Sequence, residues 1–297
     1  MFWRRLQQAI YYLSFAVFPL TIYIAWALTQ RPTHLFWWVL LLLALVFIYA
    51  RFVEPQRVVV RRERRVFREG GKSVRLVLIS DLHLGVFKGE RFLRKILARV
   101  REAKPDLVVI PGDLINDPSP AELKKNFREL GDLKIPVYVV TGNHDSRKPG
   151  YYTSEEVRGV LRPLVTVMDN ARATWVGEQT RMQITGLSDL MEGKADFTLL
   201  DDLKDKDFNL IIAHNPDAAY RIPAGIPADL IVSGHTHAGQ IFLPPLSDWL
   251  IPCKHKFRRG WYEVHGRPVY VSSGLGEVIL PMRFLIPPEV VVMELVI

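Results

Sequence analysis

The chain has 297 residues, 49% of them hydrophobic, with 39 basic against 31 acidic residues and a net charge of +8. Its one cysteine, Cys253, excludes an intramolecular disulfide. The basic excess lies wholly in residues 1–68, which hold ten Arg, no Lys, and only Glu54 and Glu63 as acids; beyond them 29 basic residues face 29 acidic ones. A neutral C-terminal portion argues against a nuclease, because nucleic-acid binders carry a basic face that replaces phosphate counterions.

The front of the chain is apolar. Residues 9–28, AIYYLSFAVFPLTIYIAWAL, contain no charge, about the ~20 residues that span a bilayer. A second run, LFWWVLLLLALVFIYA (35–50), follows closely. Tyr11, Tyr12, Trp26, Trp37, Trp38 and Tyr49 lie near the ends of these runs, where aromatic belts form. Pro19 is expected to kink the first helix. A cleaved signal peptide is the competing reading, but the first run is long, the second follows at once, and no small-x-small cleavage site is evident. Residues 1–53 therefore read as a retained transmembrane helical hairpin. The connector carries only Arg31, and the outer flanks carry the other arginines. The positive-inside rule then puts both chain ends in the cytoplasm, with a multi-pass protein in the cytoplasmic (inner) membrane. Residues 54–73 read as a basic juxtamembrane linker ending at Gly70-Gly71, its arginines Arg57–Arg68 set to meet anionic lipid.

Residues 74–297 read as one α/β domain. Short apolar runs, VRLVLIS (74–80), DLVVIP (106–111), PVYVVT (136–141), FNLIIA (208–213) and ADLIVS (228–233), suggest buried strands. ERFLRKILARVREA (90–103) and PAELKKNFREL (120–130) between them look helical. Further β-like runs, 182–187, 268–274 and 289–297, fit two packed sheets. Each of the first five runs stops at a polar cluster: Asp81-Leu82-His83, Gly112-Asp113, Gly142-Asn143-His144-Asp145, His214, and Gly234-His235-Thr236-His237. Ligands collect at the carboxyl ends of such strands. Asp, Asn and His suit borderline divalent ions such as Mn, Fe or Zn, and two adjacent ions are a device for phosphate-ester hydrolysis.

The ordered set D-x-H, GD-x-x-N, GNHD, lone His and GH-x-H resembles the calcineurin-like metallophosphoesterase family, over roughly residues 74–297. The resemblance implies an αββα sandwich, two packed sheets flanked by helices. It implies that Asp81, His83 and His237 hold one divalent ion, that Asn143, His214 and His235 hold a second, and that Asp113 bridges them. A metal-bridging hydroxide would attack phosphorus. His144 would contact the phosphate or protonate the leaving group, oriented by Asn116 or Asp145.

For substrate, AGQIFLPPLSDWLIPCKHKFRRGWY (238–262) mixes apolar and basic residues. Phe242, Leu246, Trp249, Leu250 and Ile251 are expected to line an apolar cleft, with Lys254, Lys256, Arg258 and Arg259 holding a second phosphate. ILPMRFLIPP (279–288) has a similar mixture. The layout is similar to the membrane-anchored UDP-2,3-diacylglucosamine pyrophosphohydrolases of lipid A synthesis, and equally to less specific membrane phosphodiesterases. Three readings stand: hydrolase of a lipid-linked phosphodiester or pyrophosphate, tethered phosphatase or phosphodiesterase of soluble substrates, and non-enzymatic scaffold.

Overall fold

Residues 2–146, 152–178, 180–205, 207–244, 246–249 and 251–297 are described by a computed structural model. Its front is a helical hairpin. Helix Phe2–Leu13 passes through a 3-10 turn, Ser14–Ala16, into Val17–Gln30. The irregular turn falls where Pro19 withholds an N–H from the carbonyl one turn earlier, at Phe15. The second helix, Leu35–Ile48, runs on through a π turn, Tyr49–Val53, and a 3-10 turn, Glu54–Gln56. Both are long and apolar enough to cross a membrane. They bury one seam, Val17, Ile24, Leu28 and Ala44, and leave Ile22, Leu35, Phe36, Leu42 and Leu43 facing outward. An apolar surface of that extent needs a nonaqueous neighbour.

The base of the hairpin is sealed by Arg51. Its Nε donates to Ser14 Oγ at 2.9 Å, and its guanidinium lies 4.6 Å from the Tyr11 ring and 4.5 Å from the Phe52 ring. Below that level the first helix extends further than its uncharged run indicated. Arg4 donates to the Asp117 carbonyl at 2.9 Å and pairs with Glu122 at 3.0 Å, while Tyr11 stacks on Phe87 at 6.2 Å. One face of the first helix thus touches the α/β domain through Arg4 and Tyr11.

The expected linker is corrected by the structure. Val59–Val66 is an edge strand, paired in parallel along its whole length with the last strand, Glu289–Val296. Alternation makes this possible: Arg61, Glu63 and Arg65 turn inward while Val60, Arg62, Arg64 and Val66 are exposed. Arg61 pairs with Glu289 at 3.0 Å, Arg64 with Glu294 at 3.6 Å, and Arg65 lies 4.6 Å above the Trp261 ring. Much of the basic run therefore serves the sheet edge, and only its start lies at the hairpin.

Two six-stranded sheets follow. The first runs, edge to edge, Val59–Val66, Glu289–Val296, Ser73–Leu78, Leu107–Pro111, Val137–Val140 and Thr166–Val167. The second runs Gly260–Val264, Arg267–Val271, Leu230–Ser233, Phe208–Ala213, Arg181–Leu187 and Ala171–Val176. Leu76, Leu78, Val109 and Val140 meet Ile184, Leu210, Ile212 and Val232 between the sheets. The alternate residues Val77, Val108 and Val139 face the helices Glu90–Ala103, Pro120–Phe127 and Ser154–Leu161. Helix 90–103 offers Leu93, Ile96, Leu97 and Val100 on one stripe. Helix 120–127 starts at a capping box, with Ser119 and Glu122 exchanging hydrogen bonds. On the outer face of the second sheet, the apolar cover includes the short 3-10 turns Phe197–Leu200 and Pro216–Arg221.

Candidate metal centre

The carboxyl ends of five parallel strands converge. The turns after Ser73–Leu78, Leu107–Pro111 and Val137–Val140 bring Asp81, His83, Asp113 and Asn143; those after Phe208–Ala213 and Leu230–Ser233 bring His214, His235 and His237. The turns are tight enough to force unusual backbone. Asp81, His83, Asp113, His235 and His237 all have φ between 45° and 71°. Non-glycine residues rarely enter that region, and such strain gathers at functional sites. Gly234 is required by contact: a Cβ there would lie 1.9 Å from Ser80 Oγ and 2.4 Å from Asp81 Oδ2. Gly112, at φ +81°, would drive a Cβ to within 2.6 Å of His214 Nδ1.

Two donor groups result. Asp81, His83, Asp113 and His237 form one, and Asp113, His214 and His235 the other; within each, the ligand atoms lie within 4.8 Å of one another. His83 Nε2 lies 3.0 Å from His237 Nε2, and His214 Nε2 lies 3.1 Å from both His235 Nδ1 and Asn143 Oδ1. Asp113 Oδ2 lies 3.5 Å from His83 Nε2 and 3.3 Å from His214 Nε2, touching both groups. Ligands held at about 2.1 Å from one ion are roughly 3.0–3.4 Å apart for octahedral or tetrahedral angles. The observed spacings, 3.0–3.5 Å with His237 Nε2 at 3.7 Å from Asp81 Oδ1, lie in or near that range, so the cluster is compatible with a dimetal site.

The outer contacts fit as well. His214 Nδ1 donates to the Pro111 carbonyl at 2.9 Å, and His235 Nε2 faces the Pro252 carbonyl at 3.4 Å. Each contact turns the opposite nitrogen toward the centre, as metal-binding histidines require. Arg283 is wholly buried beneath His237, with Nη2 3.2 Å from His237 Nδ1. Its Nη2 hydrogens are taken by shorter contacts to the carbonyls of Gly276 (2.6 Å) and Ser273 (3.1 Å). The guanidinium therefore acts on His237 as a nearby positive charge.

Electrostatics sort the donors. Burial pushes His83 down to about 3 and His235 to about 4, and burial with His83 and Arg283 holds His237 low. These imidazoles are neutral, with lone pairs to give. Burial raises Asp81 to about 7. Asp113 is buried too, yet the surrounding histidines, His214 foremost, hold it well below the usual carboxylate range. His214 resists burial and rises to about 10 because Asp113 and Asp81 face it; a metal must displace that proton.

His144 stands apart from the two donor groups. Its backbone N–H donates to Asp113 Oδ1 at 2.8 Å, and its ring lies edge-on to His83 at 4.9 Å, on the cleft wall. The Asp145 carboxylate, one of the two groups expected to orient His144, meets three backbone donors. Oδ1 accepts from the N–H groups of Leu114 (2.9 Å) and Ile115 (3.1 Å), and Oδ2 from Gly142 N–H at 2.8 Å. It ties two metal-bearing turns together. Asn116 is buried beside them, its Nδ2 without a hydrogen-bond partner among the described residues.

A cleft of about 620 Å³ opens over the centre. His144, His235, His237, Asp113 and Asn143 lie at its polar end; Met191, Ile241, Pro252, Val278, Ile279 and Leu280 give it an apolar wall. Trp249, Lys254, Arg258 and Arg259, all expected to meet substrate, are not among the residues that line it. Trp249 is 85% exposed, and Lys254 is exposed with its backbone N–H donating to Asp217 at 2.6 Å. The Arg258 guanidinium pairs with Asp248 and lies 5.1 Å from the Phe242 ring. Arg259 buries Nη1 without a hydrogen-bond partner among the described residues. Ile251 is buried in the core beside the second sheet, and Leu250 lies outside the described residues. The two segments with the expected mixture both reach the cleft, 238–262 through Ile241 and Pro252 and 279–288 through Ile279 and Leu280, but not through the residues singled out for substrate. Sequence reasoning also missed Arg283, Lys88 and the glycines at 274 and 276, although Ser-Ser-Gly-x-Gly after a strand is a readable signal for close backbone approach.

Comparison with known proteins agrees with this geometry. Residues 74–239 match the family model described as calcineurin-like phosphoesterase. The chain is 32% identical to the uncharacterized metallophosphoesterase YkuE of Bacillus subtilis, over 83% of this chain and 88% of that protein. It is 26% identical to phosphodiesterase YaeI of Escherichia coli, over 84% and 93%. It is 33% identical to the transmembrane protein with metallophosphoesterase domain of Danio rerio, over 75% of this chain and 53% of that one. The two apolar helices and the transmembrane relative point to membrane association. With a family model covering more than half its length and a relative matched nearly end to end, the chain belongs to the calcineurin-like metallophosphoesterases, metal-dependent hydrolases of phosphoesters.

Proposed function

We propose that this protein is a hairpin-anchored dimetal hydrolase of a lipid-linked phosphodiester or pyrophosphate. The observation that carries the reading is the union of a two-ion donor set, sharing Asp113, with an apolar cleft wall, Ile241 and Val278–Leu280. Asp81, His83 and His237 would hold one ion, Asn143, His214 and His235 the other, and Asp113 both. The ions, when bound, lower the pKa of water toward about 7 and polarise a phosphoryl oxygen. The chain's own work is to fix the donors, to present His144 to the phosphate, and to exclude water along the apolar wall. His144 is suited to move a proton at the leaving oxygen, since it lines the cleft and belongs to neither donor group.

The flanking arginines favour a multi-pass protein of the cytoplasmic membrane with its catalytic domain in the cytoplasm. UDP-2,3-diacylglucosamine is one substrate of the proposed class. The second reading, a tethered phosphodiesterase of soluble substrates, draws support from the printed function of YaeI.

Full-length protein in nanodiscs separates these readings. Hydrolysis of UDP-2,3-diacylglucosamine is compared with that of its deacylated counterpart and of bis(p-nitrophenyl) phosphate. Each methylene buried in the cleft contributes about 0.8 kcal/mol, roughly fourfold, so kcat/KM should climb with acyl length. Equal kcat/KM for acylated and deacylated substrates favours the soluble reading, and no hydrolysis of any ester at full metal loading favours a scaffold. Reporter fusions after Arg68 should be cytoplasmic, with the 30–33 connector on the other side.

A further inference from the structure

The loop that builds the cleft wall is bonded to the base of the hairpin. Arg283 N–H donates to the Ala50 carbonyl at 2.9 Å, and Leu285 N–H to Glu54 Oε2 at 2.7 Å. Lys88 Nζ donates to the carbonyls of Pro55 (2.9 Å) and Leu275 (3.0 Å), and forms a 2.6 Å ion pair with Glu277. Strand register gives the same placement. Val59, three residues past the hairpin, pairs with Glu289, and Leu78 pairs with Val291 on the other side of that strand. The hairpin exit and the strand leading to Asp81 are thus two strand spacings apart, about 10 Å, and the metal-bearing strand ends point toward the hairpin.

Depth follows from helix length. A span of about 20 residues crosses the hydrocarbon. Counted from the 31–34 connector, about 20 residues reach back to Tyr11 on one helix and forward to Glu54 on the other. Ala50 and Glu54 therefore lie at the hydrocarbon boundary, as does the loop bonded to them. That loop holds Ile279 63% and Leu285 53% exposed, and at φ 64° and 59°. A β-branched residue at positive φ is a strained outlier, here largely exposed at the cleft rim on the loop that Arg283 and Leu285 bond to the hairpin.

We propose that this rim is a membrane-docking surface. Ile279, Leu280 and Leu285, all exposed on this loop, insert into the interface of the phospholipid leaflet that holds the hairpin base. The mouth of the cleft then opens at headgroup depth. Loading from the leaflet rests on the lipid-linked reading above; the docking does not.

The test uses full-length protein in nanodiscs of phosphatidylcholine and phosphatidylglycerol, without substrate. Nitroxide labels are attached at Ile279→Cys, Leu285→Cys and, as an aqueous control, Val176→Cys, which is exposed at the strand end away from the metal centre. Accessibility to oxygen and to a polar nickel chelate is read by power saturation. Labels at 279 and 285 should be oxygen-accessible and several-fold less accessible to nickel than the label at 176. Nickel accessibility equal at all three sites overturns the proposal. Protection accompanied by spin–spin broadening overturns it in favour of a second copy of this chain. Circular dichroism melts confirm that each variant folds. Because depth is measured without hydrolysis, docking can hold while acylated substrates fail, and the converse.

Discussion

The backbone N–H of Leu285 donates to the carboxylate of Glu54, 231 residues away in sequence, at 2.7 Å. Glu54 is 1% exposed, so its removal leaves the Leu285 N–H without its carboxylate acceptor. Losing a hydrogen bond to a carboxylate costs about 1.5–3 kcal/mol, and the lower part of that range applies where the donor residue is half-exposed, as Leu285 is. Glu54→Ala should lower the thermal midpoint and depress activity on every substrate, because the cleft wall and Arg283 share the loop. Glu54→Gln keeps an acceptor oxygen and should recover most of both. Equal loss in the two variants would show that the charge, and not the hydrogen bond, holds the loop.

Removal of Asp145 should cost metal as well as rate. Its carboxylate accepts from Leu114, Ile115 and Gly142, three buried N–H groups in two metal-bearing turns. Each unpaired buried donor costs about 1–3 kcal/mol. Asp145→Ala should therefore lower metal content, measured by plasma emission, together with activity. If Asp145 instead only orients His144, the variant keeps both ions and loses rate alone.

The contrast between these residues shows what the sequence can carry. Asp81, His83, Asp113, Asn143, His214, His235 and His237 were legible because each ends an apolar run, and strand ends converge in α/β sheets. Asp145 sat in the same motif, yet its role depends on which way a carboxylate turns inside a 3-10 turn. Val59–Val66 reads as a charged linker because its partner is the chain's last strand, and long-range pairing leaves no local mark. Arg258 and Trp249 looked like substrate contacts by composition. One guanidinium is taken by Asp248 and the indole faces outward, outcomes set by a neighbour and a loop direction that composition does not encode.

Metal stoichiometry tests the shared carboxylate. Protein purified without chelator should carry close to two divalent ions per chain. Chelation should abolish hydrolysis and readdition restore it. Asp113 Oδ2 touches both donor groups, so Asp113→Ala should lose both ions, whereas His83→Ala should lose mainly one. Two ions retained by Asp113→Ala would remove it as the bridge.

His144→Ala should keep both ions, since His144 belongs to neither donor group, while activity falls about 10²-fold or more, the range for a lost proton-transfer group. A leaving group of low pKa should narrow the deficit, because it departs without a proton. Loss of one ion in the variant would make His144 a ligand.

Lys88 supplies a pH signature outside the metal centre. Burial pushes its ammonium down to about 8, against the opposing pull of Glu277. In the unfolded chain the same group titrates at about 10.4. Between those values the unfolded state binds more protons than the folded one, so stability rises with pH across that window. Below about pH 8 both states are protonated and Lys88 contributes no slope. Thermal midpoints of the full-length protein in detergent, from pH 7 to 10.5, should therefore show an upward component that Lys88→Met lacks. At pH 7 the variant should also be less stable, since it leaves the buried Glu277 carboxylate without its cation, and breaking such a pair costs about 3–5 kcal/mol. Lys88→Met, Glu277→Gln should recover part of that loss while keeping the flat profile. A single variant with an unchanged slope would show that the ammonium is already solvated in the folded state, and would remove it as a buried strut between Pro55 and Leu275.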